Sequence, residues 1–317
     1  KGGIHKEIHF TPPIHAFDQD LGINTPIKYT IISGNERGIF YLNPQNASLF
    51  QNQPIDLEKE QGLPNNTFNL QIHATQIDNP LKYSVARVEI EILDLNDNLP
   101  EFEVDYYNIS IVENLPNGFS VLQVVAHDAD QNDNSIFTYE LNDPSNAFTI
   151  DDKNGWLTVK DERILDREKI TFLRMNVIAI EKNPTAIPYS NGSSSVPVEI
   201  TLLDANDNNP IFVPSNIYEF VTRSDVKIGT IIGQVKAIDS DQGRNGIVRY
   251  GLQKTGNSSS VRVPFTVDSR TGIVSVSESP IIVGRHAIFV EAADQPANPS
   301  EKRFSLAVVT VDVLEND

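Results

Sequence analysis

The stretch Asp204-Ala205-Asn206-Asp207-Asn208-Asn209-Pro210 holds two carboxylates and three amides and ends in a proline. It has no apolar face to bury, so neither a core strand nor a helix is expected here. A linker of this composition offers many oxygen atoms to a hard cation, because Ca²⁺ takes about 6–8 oxygen ligands. A second copy, Asp94-Leu95-Asn96-Asp97-Asn98-Leu99-Pro100, lies 110 residues earlier. The spacing predicts a chain built from repeats of this length.

A second motif follows the same period. Asp-x-Asp doublets begin at Asp18, Asp128 and Asp239, which are 110 and 111 residues apart. Two independent motifs with one period predict three repeats, at residues 1–98, 99–208 and 209–317. Each repeat is long enough to bury a core of its own.

The composition excludes several classes of protein. Of the 317 residues, 39% are hydrophobic, which is typical of globular domains, and the net charge of −18 argues against nucleic-acid binding. The chain has no cysteine, so disulfides and thiolate metal sites are excluded. No apolar run reaches the roughly 18 residues of a membrane span. The sequence starts abruptly at Lys1-Gly2-Gly3, and its last residues, Leu314–Asp317, resemble the beginning of a third linker. We therefore expect an excised part of a longer protein, whose membrane segment lies outside this sequence.

Short segments with alternating apolar residues predict strands. Examples are Ile27–Ile31, Phe68–Ile72 and Val196–Leu203, separated by turn residues and without helical periodicity. This pattern indicates an all-β fold with a β-sandwich in each repeat. Trp156 lies on such a strand after an Asn-Gly turn, and it is expected in the core.

Asn-x-Ser/Thr sequons favour an extracellular setting with glycans on surface loops. The candidate glycosylation sites are Asn46, Asn65, Asn108, Asn191 and Asn257.

The linkers, the Asp166-Arg167-Glu168 triplet, Glu113 after a strand, and the Asp-x-Asp doublets resemble the extracellular repeats of cadherins. The resemblance covers the whole chain as three repeats. It implies a seven-stranded Greek-key sandwich in each repeat, stacked end to end, with Ca²⁺ held at each junction. Within the family, residues 11–20 and 282–285 are most similar to middle repeats of the tip-link protocadherin of hair cells and its microvillar relatives.

The resemblance implies a complete Ca²⁺ site between the second and third repeats. Its expected ligands come from both repeats and the linker: Glu113, Asp166, Glu168, Asp204, Ala205, Asn206, Asp207, Asn208, Asp239, Asp241, Asn245 and Asp294. Ala205 and Asn208 would contribute carbonyl oxygens.

The site between the first and second repeats is expected to bind fewer or weaker ions. Its ligands would be Asp56, Glu58, Asp94, Leu95, Asn96, Asp97, Asn98, Asp128, Asp130, Asn134 and Glu181. Glu181 replaces an aspartate of the family pattern, and Gly3 stands where the counterpart of Glu113 would fall.

Enzyme hypotheses fit the sequence poorly. Asp-x-Asp also occurs in metal-dependent glycosyltransferases, but no alternating βα pattern builds a nucleotide-binding sheet. Paired carboxylates also occur in glycosidases, but these acids recur with a period instead of converging once. Alternatively, all the acids are solvated turn residues.

We expect a Ca²⁺-stiffened adhesion segment on the outside of a single-pass plasma-membrane protein, at the cell surface or on protrusions. It would link cells or protrusions and transmit force. Its partners would be the neighbouring repeats and another cadherin, bound through repeats outside this sequence. The alternative is that these repeats themselves form a homophilic lateral or trans contact, including a parallel homodimer.

Overall fold

The structure is a computed structural model that describes residues 6–20, 24–60, 62–183, 185–188, 191–253 and 263–315. Within these ranges, strands are joined by turns and by short 3-10 helices, and no helix is long and apolar enough to cross a membrane. The 3-10 helices are Leu57–Lys59, Pro64–Asn66, Asn132–Ser135, Glu162–Ile164 and Pro299–Glu301. The prediction of an all-β fold is confirmed.

The strands follow the three predicted repeats. Before the first linker come β1 (Lys6–Ile8), β2 (Ile27–Ser33), β3 (Phe40–Leu42), β4 (Leu49–Gln51), β5 (Thr67–Gln76) and β6 (Tyr83–Glu91). Between the linkers come β7 (Glu101–Phe102), β8 (Tyr107–Val112), β9 (Ser120–Gln123), β10 (Ala126–His127), β11 (Phe137–Asn142), β12 (Phe148–Ile150), β13 (Trp156–Val159), β14 (Phe172–Glu181) and β15 (Ser193–Leu203). After the second linker come β16 (Ile211–Phe212), β17 (Ile217–Arg223), β18 (Ile231–Gln234), β19 (Ala237–Ile238), β20 (Arg249–Leu252), β21 (Phe265–Val267), β22 (Ile273–Val276), β23 (Gly284–Ala293) and β24 (Phe304–Leu314).

The chain forms two compact units. The first comprises Lys1–Glu103, Val125–Tyr139 and Ile178–Ser195, and the second comprises Val104–Val124, Glu140–Val177 and Val196–Asp317. The residues predicted for each junction fall within a single unit, so each junction can be described by itself. The repeat boundaries at residues 98 and 208 stay a prediction.

The first unit contains two three-stranded sheets and a two-stranded pair. Their strand orders are β2-β5-β6, β1-β4-β3 and β10-β7. In the described part of the first repeat, no strand pairs with the outer edge of β6. β1 pairs antiparallel with β4, as β9 pairs with β13 and β18 with β22. β1 is therefore the counterpart of β9 and β18, and the counterpart of β8 does not occur among the described residues.

The middle and third repeats contain the corresponding sheets with that additional strand. Their orders are β11-β14-β15-β8 and β12-β13-β9 for the middle repeat, and β17-β24-β23-β20, β18-β22-β21 and β16-β19 for the third. In each four-stranded sheet, the first long strand of the repeat runs parallel to the last: β8 to β15, and β17 to β24.

The core follows from the alternation of apolar residues. On β15, Val196, Val198, Ile200 and Leu202 are buried, while the residues between them are more exposed. Burial of each such side chain contributes about 1.5–3 kcal/mol relative to exposure.

The prediction that Trp156 lies in the core is wrong, since the residue is 40% exposed. On β13 the buried residues are Leu157 and Val159. Because side chains alternate between the faces of a strand, Trp156 is placed on the outer face.

Candidate metal centres

The two acidic linkers follow long strands and have no regular secondary structure of their own. Residues 94–100 follow β6, and residues 204–210 follow β15 and lead into β16. The acids of the repeats also lie just beyond strand ends: Glu113 follows β8, Asp239 follows β19 and Asp294 follows β23. The fold therefore gathers acids that are distant in sequence. We use "second junction" for the residues predicted between the second and third repeats, and "first junction" for those between the first and second.

Glu113 fixes the linker of the second junction to the middle repeat. It is only 2% exposed, and its two carboxylate oxygens accept hydrogen bonds from two different loops. Oε1 accepts from the backbone N–H of Ala205 at 2.8 Å, and Oε2 accepts from that of Arg167 at 2.7 Å. Hydrogen bonds to a carboxylate are among the stronger ones in proteins, and here they compensate the burial of a charge.

Two overlapping groups of carboxylates form the centre of the second junction. One group consists of Glu113, Glu168 and Asp207. The other consists of Glu168, Asp204 and Asp241. Within each group, the candidate ligand atoms lie within 4.8 Å of one another. Burial, followed by repulsion from Glu113, raises the pKa of Glu168. Burial is also the main cause that raises the pKa of Asp241. The charged forms of these acids are thus disfavoured without a counter-charge.

Amide side chains organise the same carboxylates. Asn208 Nδ2 donates to Asp207 Oδ1 and Asp241 Oδ1, both at 2.7 Å. Asn245 Nδ2 donates to Asp204 Oδ2 at 2.8 Å. These bonds keep carboxylates of the linker and of the third repeat close together.

Several buried oxygen atoms of the second junction have no hydrogen-bond partner among the described residues. They are Asn206 Oδ1, Asp239 Oδ2 and Asp294 Oδ2. Asp294 is fully buried, and only its Oδ1 accepts a hydrogen bond, from the backbone N–H of Arg303 at 2.9 Å. Buried oxygens without partners are costly. A donor set made entirely of oxygen fits Ca²⁺, and zinc would favour nitrogen or sulfur ligands.

The first junction repeats this arrangement with different partners. Its acid groups are Glu58 with Asp94 and Asp130, and Asp128 with Asp130 and Glu181. Asn98 Nδ2 donates to Asp130 Oδ1 at 2.6 Å, as Asn208 does to Asp241. Buried oxygens without partners also recur, at Asp94 Oδ1, Asp128 Oδ2 and Glu181 Oε2.

Glu181, which departs from the family pattern, lies inside the first junction. Burial, followed by repulsion from Asp128, raises its pKa. Burial likewise raises the pKa of Glu58, Asp97 and Asp128 as the first cause. The longer side chain still places a carboxylate oxygen in the cluster. Gly3 lies outside the described residues.

Two predicted ligands are turned toward lysines. Asp56 forms an ion pair with Lys59, and Asp166 forms one with Lys169. Neither aspartate is a member of the acid groups among the described residues. Their assignment as ligands stays a prediction, as does that of Asn134, whose Nδ2 donates to Asp94 Oδ2 at 2.9 Å.

The remaining predicted ligands lie on the linkers themselves. Asn96 is buried, and its carbonyl accepts from the backbone N–H of Ala186 at 2.6 Å, whereas the side chain of Leu95 is exposed. The carbonyl of Ala205 accepts from the backbone N–H of Asp207 at 2.9 Å.

The structure also reveals positioning residues that the sequence analysis missed. A tyrosine hydroxyl accepts a hydrogen bond from the backbone N–H two residues before each Asp-x-Asp doublet. The pairs are Tyr29 with Ala16 at 2.9 Å, Tyr139 with Ala126 at 2.8 Å, and Tyr250 with Ala237 at 2.8 Å. The period of these tyrosines, 110 and 111 residues, was the available signal.

The predicted glycosylation sites that the structure describes lie outside the two junctions. Asn46, Asn65, Asn108 and Asn191 are exposed. Asn257 lies outside the described residues.

Comparison with known sequences identifies the repeats. The model of the cadherin domain matches residues 9–93, 107–202 and 218–314. Cadherin-89D of Drosophila melanogaster is 53% identical over 317 residues, covering 98% of this chain and 14% of its own length. Cadherin EGF LAG seven-pass G-type receptor 2 of Mus musculus is 34% identical over 267 residues, covering 83% of this chain and 9% of its own length. The chain thus spans a small part of these relatives.

Solved structures agree with this result. Mouse cadherin-23 EC22-24 has a TM-score of 0.75 at 27% identity, covering 95% of this chain and 90% of that one. The protocadherin gammaB7 EC3-6 cis-dimer has a TM-score of 0.75 at 25% identity, covering 98% of this chain and 69% of that one.

Proposed function

The chain belongs to the cadherin family, and we propose that it is a Ca²⁺-stiffened segment in the extracellular part of an adhesion protein. Cadherin repeats are adhesion modules and not enzymes, so the glycosyltransferase and glycosidase hypotheses are set aside. The tip-link resemblance, the single-pass anchor and a cadherin partner bound through other repeats belong to the proposal.

The second junction is the observation that carries the proposal. It combines carboxylates of the middle repeat, the linker and the third repeat, together with buried oxygens that have no other partner. Glu113, Glu168, Asp204, Asp207 and Asp241 would hold Ca²⁺ at its centre. Asp239, Asn206 and Asp294 would hold it at the side of the third repeat. In the first junction, Glu58, Asp94, Asp128, Asp130 and Glu181 would have this role.

The proposed mechanism is electrostatic. Carboxylates a few ångströms apart repel one another unless their charge is neutralised. Bound Ca²⁺ supplies that neutralising charge. The linker carboxylates and those of the two flanking repeats are then held in one arrangement, which restricts the angle between the repeats. Sites with a dissociation constant of about 10⁻⁴–10⁻³ M would be filled outside the cell.

Restricted angles would let the chain transmit force and distance between cells or cell protrusions. Small-angle X-ray scattering with and without millimolar Ca²⁺ tests this directly. We expect a longer maximum dimension in Ca²⁺, and a return toward the chelated profile for Asp207→Ala at moderate Ca²⁺. Asp152→Ala removes an exposed aspartate outside both junctions and is the matched control. Profiles that ignore both Ca²⁺ and Asp207→Ala would refute the proposal and favour solvated turn residues.

One surface favours the second candidate function, a homophilic contact made by these repeats. Ile217, Val308 and Phe289 are directly paired neighbours across three strands of the third repeat. Ile217 is exposed and the other two are partly buried, which gives an apolar row on the outer face of the sheet. Sedimentation equilibrium would show a dimer that Ile217→Lys dissociates. A monomer at high concentration would refute this contact.

A further inference from the structure

A basic side chain lies among the acids of the second junction. Arg167 Nε donates to Asp204 Oδ1 at 2.9 Å, and its guanidinium also contacts Glu168 Oε1 at 3.0 Å. A longer contact reaches Gln242 Oε1 at 3.4 Å. The side chain of Arg167 is only 12% exposed, so this ion pair is partly shielded from solvent. Asp204 and Glu168 are both members of the acid group that contains Asp241.

The first junction provides an internal comparison, because Leu57 stands where the second has Arg167. Leu57 is buried. In the first junction, Asp94 Oδ2 accepts hydrogen bonds from Gln131 and Asn134, but Asp94 Oδ1 is buried and has no partner in the part of the chain that the structure describes. The corresponding carboxylate of Asp204 has partners at both oxygens, and Arg167 is one of them.

We propose that Arg167 is an internal counter-cation of the second junction. It holds the linker carboxylate of Asp204 when no divalent cation is bound, and it lowers the affinity of this junction because it must yield when one binds. The part of this inference that concerns Ca²⁺ rests on the proposed function. The part that concerns the metal-free protein does not.

The competition follows from charge and geometry. A divalent cation bound by Glu168 and Asp204 would be repelled by a guanidinium that contacts both carboxylates. When the cation binds, the guanidinium of Arg167 must move away from Asp204 and Glu168 or share their oxygen atoms with the cation. Either change weakens an ion pair that is shielded from solvent in the metal-free protein. Replacement of Arg167 by leucine should therefore tighten Ca²⁺ binding at the second junction by roughly fivefold, the size expected for one such pair.

Hydrogen exchange in chelator tests the metal-free role on the full chain. The backbone N–H of Gln242 donates to Asp204 Oδ1 at 2.7 Å, and that of Gln131 donates to Asp94 at 3.1 Å in the first junction. We expect stronger protection at Gln242 than at Gln131, and Arg167→Leu should abolish the difference. Arg163→Leu removes an exposed arginine that pairs with Asp161 on the same loop, and it is the control.

The protection of Gln242 as a function of free Ca²⁺ gives the affinity of the second junction alone. A midpoint about fivefold lower in Arg167→Leu supports the competition. An unchanged or higher midpoint overturns it, and a higher one would make Arg167 a residue that positions Asp204 for the metal. If the wild-type chain shows no response to Ca²⁺, the proposed function fails. The difference between Gln242 and Gln131 in chelator still decides whether Arg167 stabilises the metal-free junction.

Discussion

Replacement of Asp294 by asparagine should change the stability of the third repeat in opposite directions with and without Ca²⁺. Asp294 is fully buried; its Oδ1 accepts a hydrogen bond from the backbone N–H of Arg303, and its Oδ2 has no partner within the described ranges. Asp294 also faces Asp239, whose pKa is raised first by burial and further by repulsion from Asp241 and Asp294. Asparagine retains the Oδ1 acceptor, removes a negative charge, and replaces Oδ2 by an N–H₂ donor on the side of Asp239, whose Oδ2 is also without a partner among the described residues.

The magnitude follows from these contacts. A buried polar group without a partner costs about 1–3 kcal/mol, and more when it is charged. In chelator, Asp294→Asn should therefore stabilise the third repeat by at least about 1 kcal/mol, which is about fivefold in the folded-to-unfolded ratio. In Ca²⁺ the sign reverses, because the site loses a negative ligand, and the affinity should fall roughly tenfold or more.

Hydrogen exchange of β24 measures this stability within one repeat, because its most protected amides exchange through unfolding of that repeat. We expect protection to rise in chelator and to fall in moderate Ca²⁺, relative to wild type. Asp152→Asn, at an exposed turn, should change neither. Destabilisation by Asp294→Asn in chelator would show that the unpaired oxygen carries no cost, and the electrostatic reasoning would be refuted.

Further predictions concern each junction and its supports. Gly192→Ala should destabilise the first junction by about 1–2 kcal/mol, because Gly192 has φ +68° and a Cβ there would lie 2.8 Å from Glu181 Oε2. Calorimetry would then detect a lower Ca²⁺ affinity. An affinity equal to that of the wild type would contradict the reasoning. Tyr250→Phe should cost about 1 kcal/mol by removing the bond to Ala237, and faster exchange at Ala237 is the readout. The pKa of Glu168 is raised in the folded protein above its ordinary value of 4.5. In chelator, the free energy of unfolding should therefore rise as the pH is lowered from 7 toward 4.5, because the folded protein binds a proton at Glu168 more readily than the unfolded one. Urea unfolding at several pH values measures this slope, and a free energy of unfolding that stays constant or falls over this range would contradict the reasoning.

The period and the acid-rich linkers were sufficient to predict the fold class and to select residues that the structure brings together. Glu113 illustrates why: a glutamate just after an alternating strand lies at a strand end, and it contacts the linker there. Alternation likewise predicted a strand at Val196–Leu203, and the burial along β15 follows that alternation. Both signals are local and recur in each repeat.

Other features depend on tertiary contacts that no local pattern contains. Arg167 contacts Asp204, and Asp166 pairs with Lys169. Several acids compete for these few basic side chains, and the tertiary structure decides which acid each one contacts. The aromatic ring of Trp156 favours the core, but the alternation along β13 buries Leu157 and leaves Trp156 on the outer face. The pairing of β1 with β4, which leaves the outer edge of β6 without a partner among the described residues, also depends on such contacts.

The parallel pairing of β17 with β24 has a mechanical consequence for the third repeat. β17 lies near the start of the repeat and β24 at its end, so tension applied through the flanking segments pulls the two strands along their length in opposite directions. The hydrogen bonds between them, over the seven residues of β17, are then sheared together instead of being opened one after another. The same geometry joins β8 to β15. In a single-molecule pulling experiment, the middle and third repeats should therefore both resist tension through this parallel pair of strands.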